Sequence, residues 1–192
     1  MFLMKVLIVD NGTSYIEKMI NLFDGCETEI APFNSSGLER NSLYDLIVLS
    51  GGHIFDLENQ LDKYNKEIEL IKSTRVPILG VCLGCELIAV AFGGKMRSLD
   101  HFERGVMKIE IVTENEMFDG VDSGFEVYEN HRRVIDKLPD CFEILAVSDD
   151  GIEMFKYKNK QIYGMQFHPE MFREIGTNRT LIVNLLKFIQ KI

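Results

Sequence analysis

Short apolar runs alternate with longer stretches in which apolar side chains recur every three to four residues, and this alternation governs the first half of the chain. Residues 4–9 (MKVLIV) form a nearly unbroken apolar run ended by Asp10, the pattern of a strand buried on both faces. A helix is predicted over 13–24, with Thr13 or Ser14 near its N-cap and Gly25 after its end. Residues 27–31 and 45–49 (DLIVL) read as the second and third strands, the latter stopped by Ser50-Gly51-Gly52. Leu57, Leu61, Tyr64, Ile68 and Ile71 make one face of a helix over 57–73. Pro77 precedes the strand ILGV, and 83–92 suits a helix closed by Gly93-Gly94.

Strands alternating with helices predict an α/β fold, with a mostly parallel central sheet flanked by helices and joined by right-handed crossovers. Sites in such sheets form at the carboxyl ends of the strands. Beyond the first half the pattern changes. Residues 105–112, 125–129, 142–147, 152–157 and 161–167 read as strands without long helices between them, which predicts an antiparallel extension on one side of the sheet. An amphipathic helix over 177–190 closes the chain. No repeat, low-complexity tract or linker divides it, so residues 1–192 are read as one domain.

Composition narrows the partners. The chain is 46% hydrophobic and 27% charged, with a net charge of −9 and a pI near 5.0. Such a surface repels phosphate backbones and anionic lipid, which disfavours nucleic acid and membrane surfaces as partners. The apolar N-terminal run lacks a basic flank and a small-residue cleavage site. No apolar stretch approaches the roughly 18–20 residues needed to span a bilayer. Four cysteines (Cys26, Cys82, Cys85, Cys141) are unevenly spaced, which argues for a reducing cytoplasm and against a disulfide framework.

The sharpest chemical signal is Gly80-Val81-Cys82-Leu83-Gly84, a G-x-S-x-G nucleophile elbow with cysteine in place of serine. A tight strand-to-helix turn strains the backbone at the nucleophile, and flanking glycines remove Cβ atoms that would clash. The helix N-terminus favours thiolate, and the Leu83 amide is placed to stabilise an oxyanion. Three other readings fit the same residues. Cys82 can be a small buried hydrophobe, Cys82-Leu83-Gly84-Cys85 can be a redox pair, and the same C-x-x-C can be half of a zinc site completed by His53 or His168.

A second signal is Tyr163-Gly164-Met165-Gln166-Phe167-His168-Pro169-Glu170. The strand delivers His168 at its end, Pro169 stops it, and Glu170 can turn back to accept an imidazole N–H. A thiol needs a base, and the base works best when a carboxylate fixes its tautomer. His53, His101 and His131 have no such carboxylate two residues on, save Glu103 after His101, in a polar stretch with no strand leading into it. Gly51-Gly52, after the strand DLIVL, can offer a free backbone amide or be an ordinary loop turn.

The segments VLIVDNG, LIVLSGG, PILGVCLGCELIAVAFGG and YGMQFHPE, spread over nearly the whole chain, resemble the class I (triad-type) glutamine amidotransferases. The flavodoxin-like class I glutaminase fold is what that resemblance implies. Asp10-Asn11-Gly12, AFGGK, Glu129-Asn130-His131, Lys137-Leu138-Pro139 and FEILAVSDD are similar to the stand-alone archaeal glutaminase subunits of GMP synthetases.

The resemblance implies Cys82 as nucleophile, His168 as proton carrier and Glu170 as its orienting carboxylate. It implies the Gly52 and Leu83 amides as oxyanion hole, and Gly52, Glu86, Arg132 and Arg133 along the substrate. It further implies glutamine as substrate, no cofactor or metal, and ammonia passed to an ATP-pyrophosphatase synthetase subunit, with xanthosine monophosphate as acceptor. No nucleotide-binding motif appears in the chain, which assigns the ATP chemistry to another polypeptide.

The chain departs from the family pattern at several positions. Relatives usually carry glutamine where Glu86 stands, proline where His53 stands, and histidine where Cys85 stands. Asn130-His131-Arg132-Arg133 replaces S-H-x-D, and Asn11-Gly12-Thr13-Ser14-Tyr15 replaces a stretch usually reading N-G-Q-Y. An ionised Glu86 near Cys82 would oppose thiolate formation. That leaves open a γ-glutamyl peptidase or hydrolase with the same triad, or a weakly active module that binds a partner.

Overall fold

A computed structural model describes residues 3–53, 57, 59–172 and 176–190. In chain order the first half contains β1 (Lys5–Asn11), α1 (Ile16–Leu22), β2 (Glu27–Pro32), β3 (Leu46–Gly52), α2 (Asn65–Ser73), β4 (Ile78–Val81) and α3 (Leu83–Ala91). The second half contains β5 (Lys95–Ile111), β6 (Gly124–Lys137), β7 (Phe142–Val147), β8 (Ile152–Tyr157), β9 (Ile162–Met165) and α4 (Gly176–Gln190). No helix among the described residues is long and apolar enough to cross a membrane.

The strands make a 9-stranded sheet in the order β2-β1-β3-β4-β9-β8-β6-β5-β7. Pairing is parallel from β2 through β9. Beyond β9 every pairing is antiparallel, and β7 pairs with both β5 and β8, so β5, β6, β8 and β7 close into a small barrel. The expected α/β class is present, but "mostly parallel" describes only one half. The antiparallel part is larger than the extension read from the sequence because β5 and β6 run for 17 and 14 residues. β5 passes straight through His101, against the expectation that no strand does. Its register shifts between Ser98 and Glu103, and that bulge breaks the alternation from which strands are read.

Side-chain alternation along the parallel strands explains the layers. Val6 and Ile8 of β1, Leu46 and Val48 of β3, and Leu79 and Val81 of β4 join Met19 of α1 and Leu181 and Leu185 of α4 in one core cluster. Leu7 and Val9, Ile47 and Leu49, and Ile78 face the other way, against Leu70 and Ile71 of α2 and Leu87 and Ile88 of α3. Both faces are therefore apolar.

Two predicted helices begin later than expected. The Asp10 carboxylate accepts the amides of Gly12 and Thr13 at 2.8 and 3.2 Å, and Thr13 Oγ1 accepts that of Tyr15 at 3.1 Å. These local turns occupy the groups that would otherwise start α1. The helix expected over 57–73 is a 3-10 turn (Leu61–Tyr64) followed by α2, and residues 54–56 and 58 lie outside the described residues.

Candidate active site

The site is built where β4 turns into α3. Cys82 has φ 49° and ψ −109°, and it is the only non-glycine residue with positive φ among the described residues. That backbone lies outside the regions an L-residue ordinarily occupies, so its neighbours must hold it. Its amide donates to the Met165 carbonyl of β9 at 2.8 Å, and its carbonyl accepts the Glu86 amide at 3.0 Å. Close approach explains the second glycine: a Cβ on Gly84 would overlap the Leu49 carbonyl of β3. Leu83 opens α3, so its amide has no carbonyl four residues back within the helix.

His168 follows β9 and is held from both sides. Its backbone amide donates to the Tyr128 carbonyl of β6 at 2.9 Å, and Nδ1 lies 2.8 Å from Glu170 Oε1. The 3-10 turn Pro169–Phe172 brings Glu170 back toward the ring. Nε2, the nitrogen turned away from Glu170, is buried without a hydrogen-bond partner among the described residues. A Cβ on Gly51 would lie 3.0 Å from His168 Cε1 and 3.4 Å from Cys82 Cβ, so ring, thiol and the β3 turn share one spot. Tyr15 packs edge-on against the imidazole, ring centroids 5.4 Å apart.

The electrostatics follow from burial and pairing. Burial disfavours a charged His168, but Cys82 and Glu170 outweigh it and hold the ring well above its ordinary pKa. Burial raises the Cys82 thiol, with His168 opposing that rise.

Glu86 and Arg133, 47 residues apart in the chain, form a salt bridge of 2.9 Å in the lining of a cavity that Cys82 and His168 also line. Gln166 also donates to Glu86, at 3.3 Å. Burial raises the Glu86 carboxyl, and Arg133 leads the groups that oppose the rise. Arg132 stands at the exposed rim, its guanidinium 5.8 Å from the Phe102 ring centroid. Gly52 and His53 line the same cavity of about 590 Å³. A larger cavity, about 1070 Å³, is lined by Met4 and Pro77 at the amino ends of β1 and β4, away from Cys82.

The other readings of Cys82 fare differently. Cys82 and Cys85 are both free thiols. Cys85 is wholly buried in the cluster on the α2–α3 side, whereas Cys82 belongs to the opposite one. Among the described residues, the group that could hold a metal is Glu129, His131 and Glu153, whose ligand atoms lie within 4.8 Å of one another.

The His131 pair escapes the sequence reading because its carboxylate, Glu129 at 2.8 Å, lies two residues before it and not after. Strand periodicity puts i and i−2 on one face, and that signal could have found it. Glu103, set apart with His101, faces His131 Nε2 at 3.6 Å, while His101 pairs with Asp100 in solvent.

This fold and this site define a known class. The chain belongs to the class-I glutamine amidotransferase family, whose profile matches residues 7–187. It is 38% identical over 173 residues to a glutamine-hydrolyzing GMP synthase subunit of Methanococcus maripaludis strain C5, covering 86% of this chain and 87% of that one. The like-named Pyrococcus furiosus protein is 37% identical over 171 residues, covering 86% and 89%. Among solved structures, a putative GMP synthase subunit from Thermoplasma acidophilum superposes with a TM-score of 0.86 and 31% identity over 100% of both chains. A glutamine amidotransferase from Thermotoga maritima shares the fold at a TM-score of 0.79 and 20% identity, again over 100% of both chains.

Proposed function

We propose that this chain is a one-domain glutaminase, with the flavodoxin-like architecture of its class, that releases ammonia from glutamine for a separate ATP-pyrophosphatase synthetase subunit. The strand order β2-β1-β3-β4-β9 supports the architecture. The similarity to glutamine-hydrolyzing GMP synthase subunits supports xanthosine monophosphate as the acceptor bound by the partner. Free thiols on an acidic chain suit the cytoplasm.

The observation that carries the reading is His168 Nδ1 bonded to Glu170 at 2.8 Å while the imidazole and Cys82 flank Gly51. His168 accepts the thiol proton as Cys82 Sγ attacks the side-chain carbonyl carbon of glutamine. The negative oxygen so formed is held by the Leu83 and Gly52 amides. His168 returns the proton to the departing nitrogen, ammonia leaves, and a thioester remains. Water attacks the thioester with His168 as base, releasing glutamate and the thiol. Glu170 keeps the Nδ1 proton in place and stabilises the imidazolium.

Glu86 and Arg133 offer one anion and one cation to the ammonium and carboxylate of an amino-acid substrate. Arg133 pairs with Glu86 and offsets part of the charge by which Glu86 opposes the Cys82 thiolate. The deciding experiment measures glutamate release from glutamine and from γ-glutamyl amides, with and without the synthetase partner. Faster cleavage of the amides, or no glutamate under any condition, would overturn this function.

A further inference from the structure

Glu67 is an acid in an apolar place. It stands on the face of α2 that carries Leu70 and Ile71 into the core, and none of it is exposed. Asn11, at the carboxyl end of β1, reaches it there: Asn11 Nδ2 donates to Glu67 Oε1 at 3.1 Å. Asn11 in turn grips the turn after β3. Its backbone amide donates to Ser50 Oγ at 2.9 Å, its Nδ2 to the Ser50 carbonyl at 3.0 Å, and Ser50 Oγ donates to the Gly51 carbonyl at 2.8 Å. Gly52 presses so closely on Asn11 that a Cβ there would overlap the Asn11 carbonyl. A chain of contacts thus runs from α2 through β1 to the turn beneath Cys82 and His168.

Two buried atoms of this chain, Asn11 Oδ1 and Glu67 Oε2, have no hydrogen-bond partner among the described residues. They belong to the two side chains already joined by one bond. A primary amide and a carboxylic acid pair through two bonds in a ring, amide N–H to acid carbonyl and acid O–H to amide carbonyl. One of these bonds is present, and a single proton on Glu67 supplies the donor for the other.

We propose that Glu67, as a neutral carboxylic acid, is a positioning residue that clamps Asn11 and through it the Ser50-Gly51-Gly52 turn, fixing the Gly52 amide for the oxyanion. The proposal rests on the glutaminase reading for its catalytic consequence. Burial supports the protonated form by raising the Glu67 pKa to about 8, with the Asn11 hydrogen bond acting against that rise. Ionisation would set a bare carboxylate oxygen against Asn11 Oδ1 and loosen the clamp.

The test compares Glu67→Gln, which keeps one donor and one acceptor at every pH, with Glu67→Leu, which keeps neither. Hydrogen exchange of the segment Leu46–Gly52 is read by mass spectrometry, beside glutaminase kcat and KM in the presence of the synthetase. Glu67→Leu is expected to speed exchange in the turn and lower kcat, each at least about tenfold, with KM nearly unchanged. Glu67→Gln restores both.

Above pH 8 the wild type drifts toward the leucine variant while the glutamine variant does not. Alkylation of Cys82 by iodoacetamide, which forms no oxyanion, stays equal in all three. Equal exchange in wild type and Glu67→Leu, or a glutamine variant as defective as the leucine one, would overturn the clamp. Should the leucine variant not fold, superimposable wild-type and Glu67→Gln pH profiles overturn it instead. A wild type without glutaminase activity defeats the function alone, because the exchange measurement still judges the clamp.

Discussion

Arg133 Nη2 donates to Glu86 Oε2 at 2.9 Å, joining two side chains 47 residues apart. Glu86 brings a negative charge to the helix that follows Cys82, and Arg133 brings a positive charge on β6 to meet it. Each alone would leave an unpaired charge near the Cys82 thiol; paired, they offset one another. Removing one partner is therefore expected to be worse than removing both. Arg133→Met should destabilise the fold by about 3 kcal/mol, because Glu86 is then buried unpaired. Adding Glu86→Gln should recover part of that loss, as read by urea unfolding of the two single variants and the double.

In the proposed reaction Glu170 acts through His168, to which it is bonded at 2.8 Å. Glu170→Gln keeps the shape but removes the charge that holds the imidazolium. Its kcat for glutamine is expected to fall about 10²- to 10⁴-fold with little change in KM. A comparable rise in KM would place Glu170 in substrate binding instead.

Cys82→Ser keeps the size of the side chain but exchanges a thiol for a far weaker acid. Glutamate release should drop at least about 10³-fold, and the thioester should disappear from acid-quenched samples analysed by mass spectrometry. An adduct that persists in the variant would move the nucleophile elsewhere.

Gly52→Ala and Gly25→Ala separate packing from backbone strain. At Gly52 the new methyl runs into the Asn11 backbone, whereas at Gly25 (φ +88°) it meets nothing within 4 Å. Thermal and urea unfolding should show a loss of about 2–3 kcal/mol or more at Gly52. At Gly25, where only the left-handed backbone is penalised, about 1–2 kcal/mol is expected. Activity should survive the second change and not the first.

Acid pairing also shapes stability against pH. Burial lifts both Glu67 and Glu129 to about 8 from an ordinary value of 4.5. Between those values the folded chain holds protons that the unfolded chain has released, so stability falls as pH rises from about 4.5 through 8 and levels off above. Below 4.5 both states are protonated and these two groups contribute no slope. Glu67→Gln should raise the melting temperature at about pH 8 and not at about pH 4.5, where the two proteins should coincide. Calorimetry at the two pH values checks it.

Legibility in the sequence tracked the range of the interaction. The buried strands β1, β3 and β4 and the elbow helix α3 follow from local pattern alone, as does His168 beside Glu170, which needs only Pro169 and a tight turn. The Thr13–Tyr15 region departs from its helical pattern because side-chain turns from Asp10 and Thr13 compete with the helix over a few atoms. The strand through His101 is hidden because a bulge erases the period-two pattern.

Local chemistry sufficed for the parts of the protein whose cause lies within a few residues: apolar runs that must be buried, an elbow that needs glycines, an imidazole with an acid two positions on. Pairings between distant groups were settled by strand order and register. β9 sits between β4 and β8, which carries His168 to Cys82 and sets β6 facing the elbow helix. Glu86 meets Arg133 across 47 residues and Asn11 meets Glu67 across 56, distances over which the chain's own stiffness dictates nothing. Only the packed sheet, by removing these groups from water, makes each depend on the other.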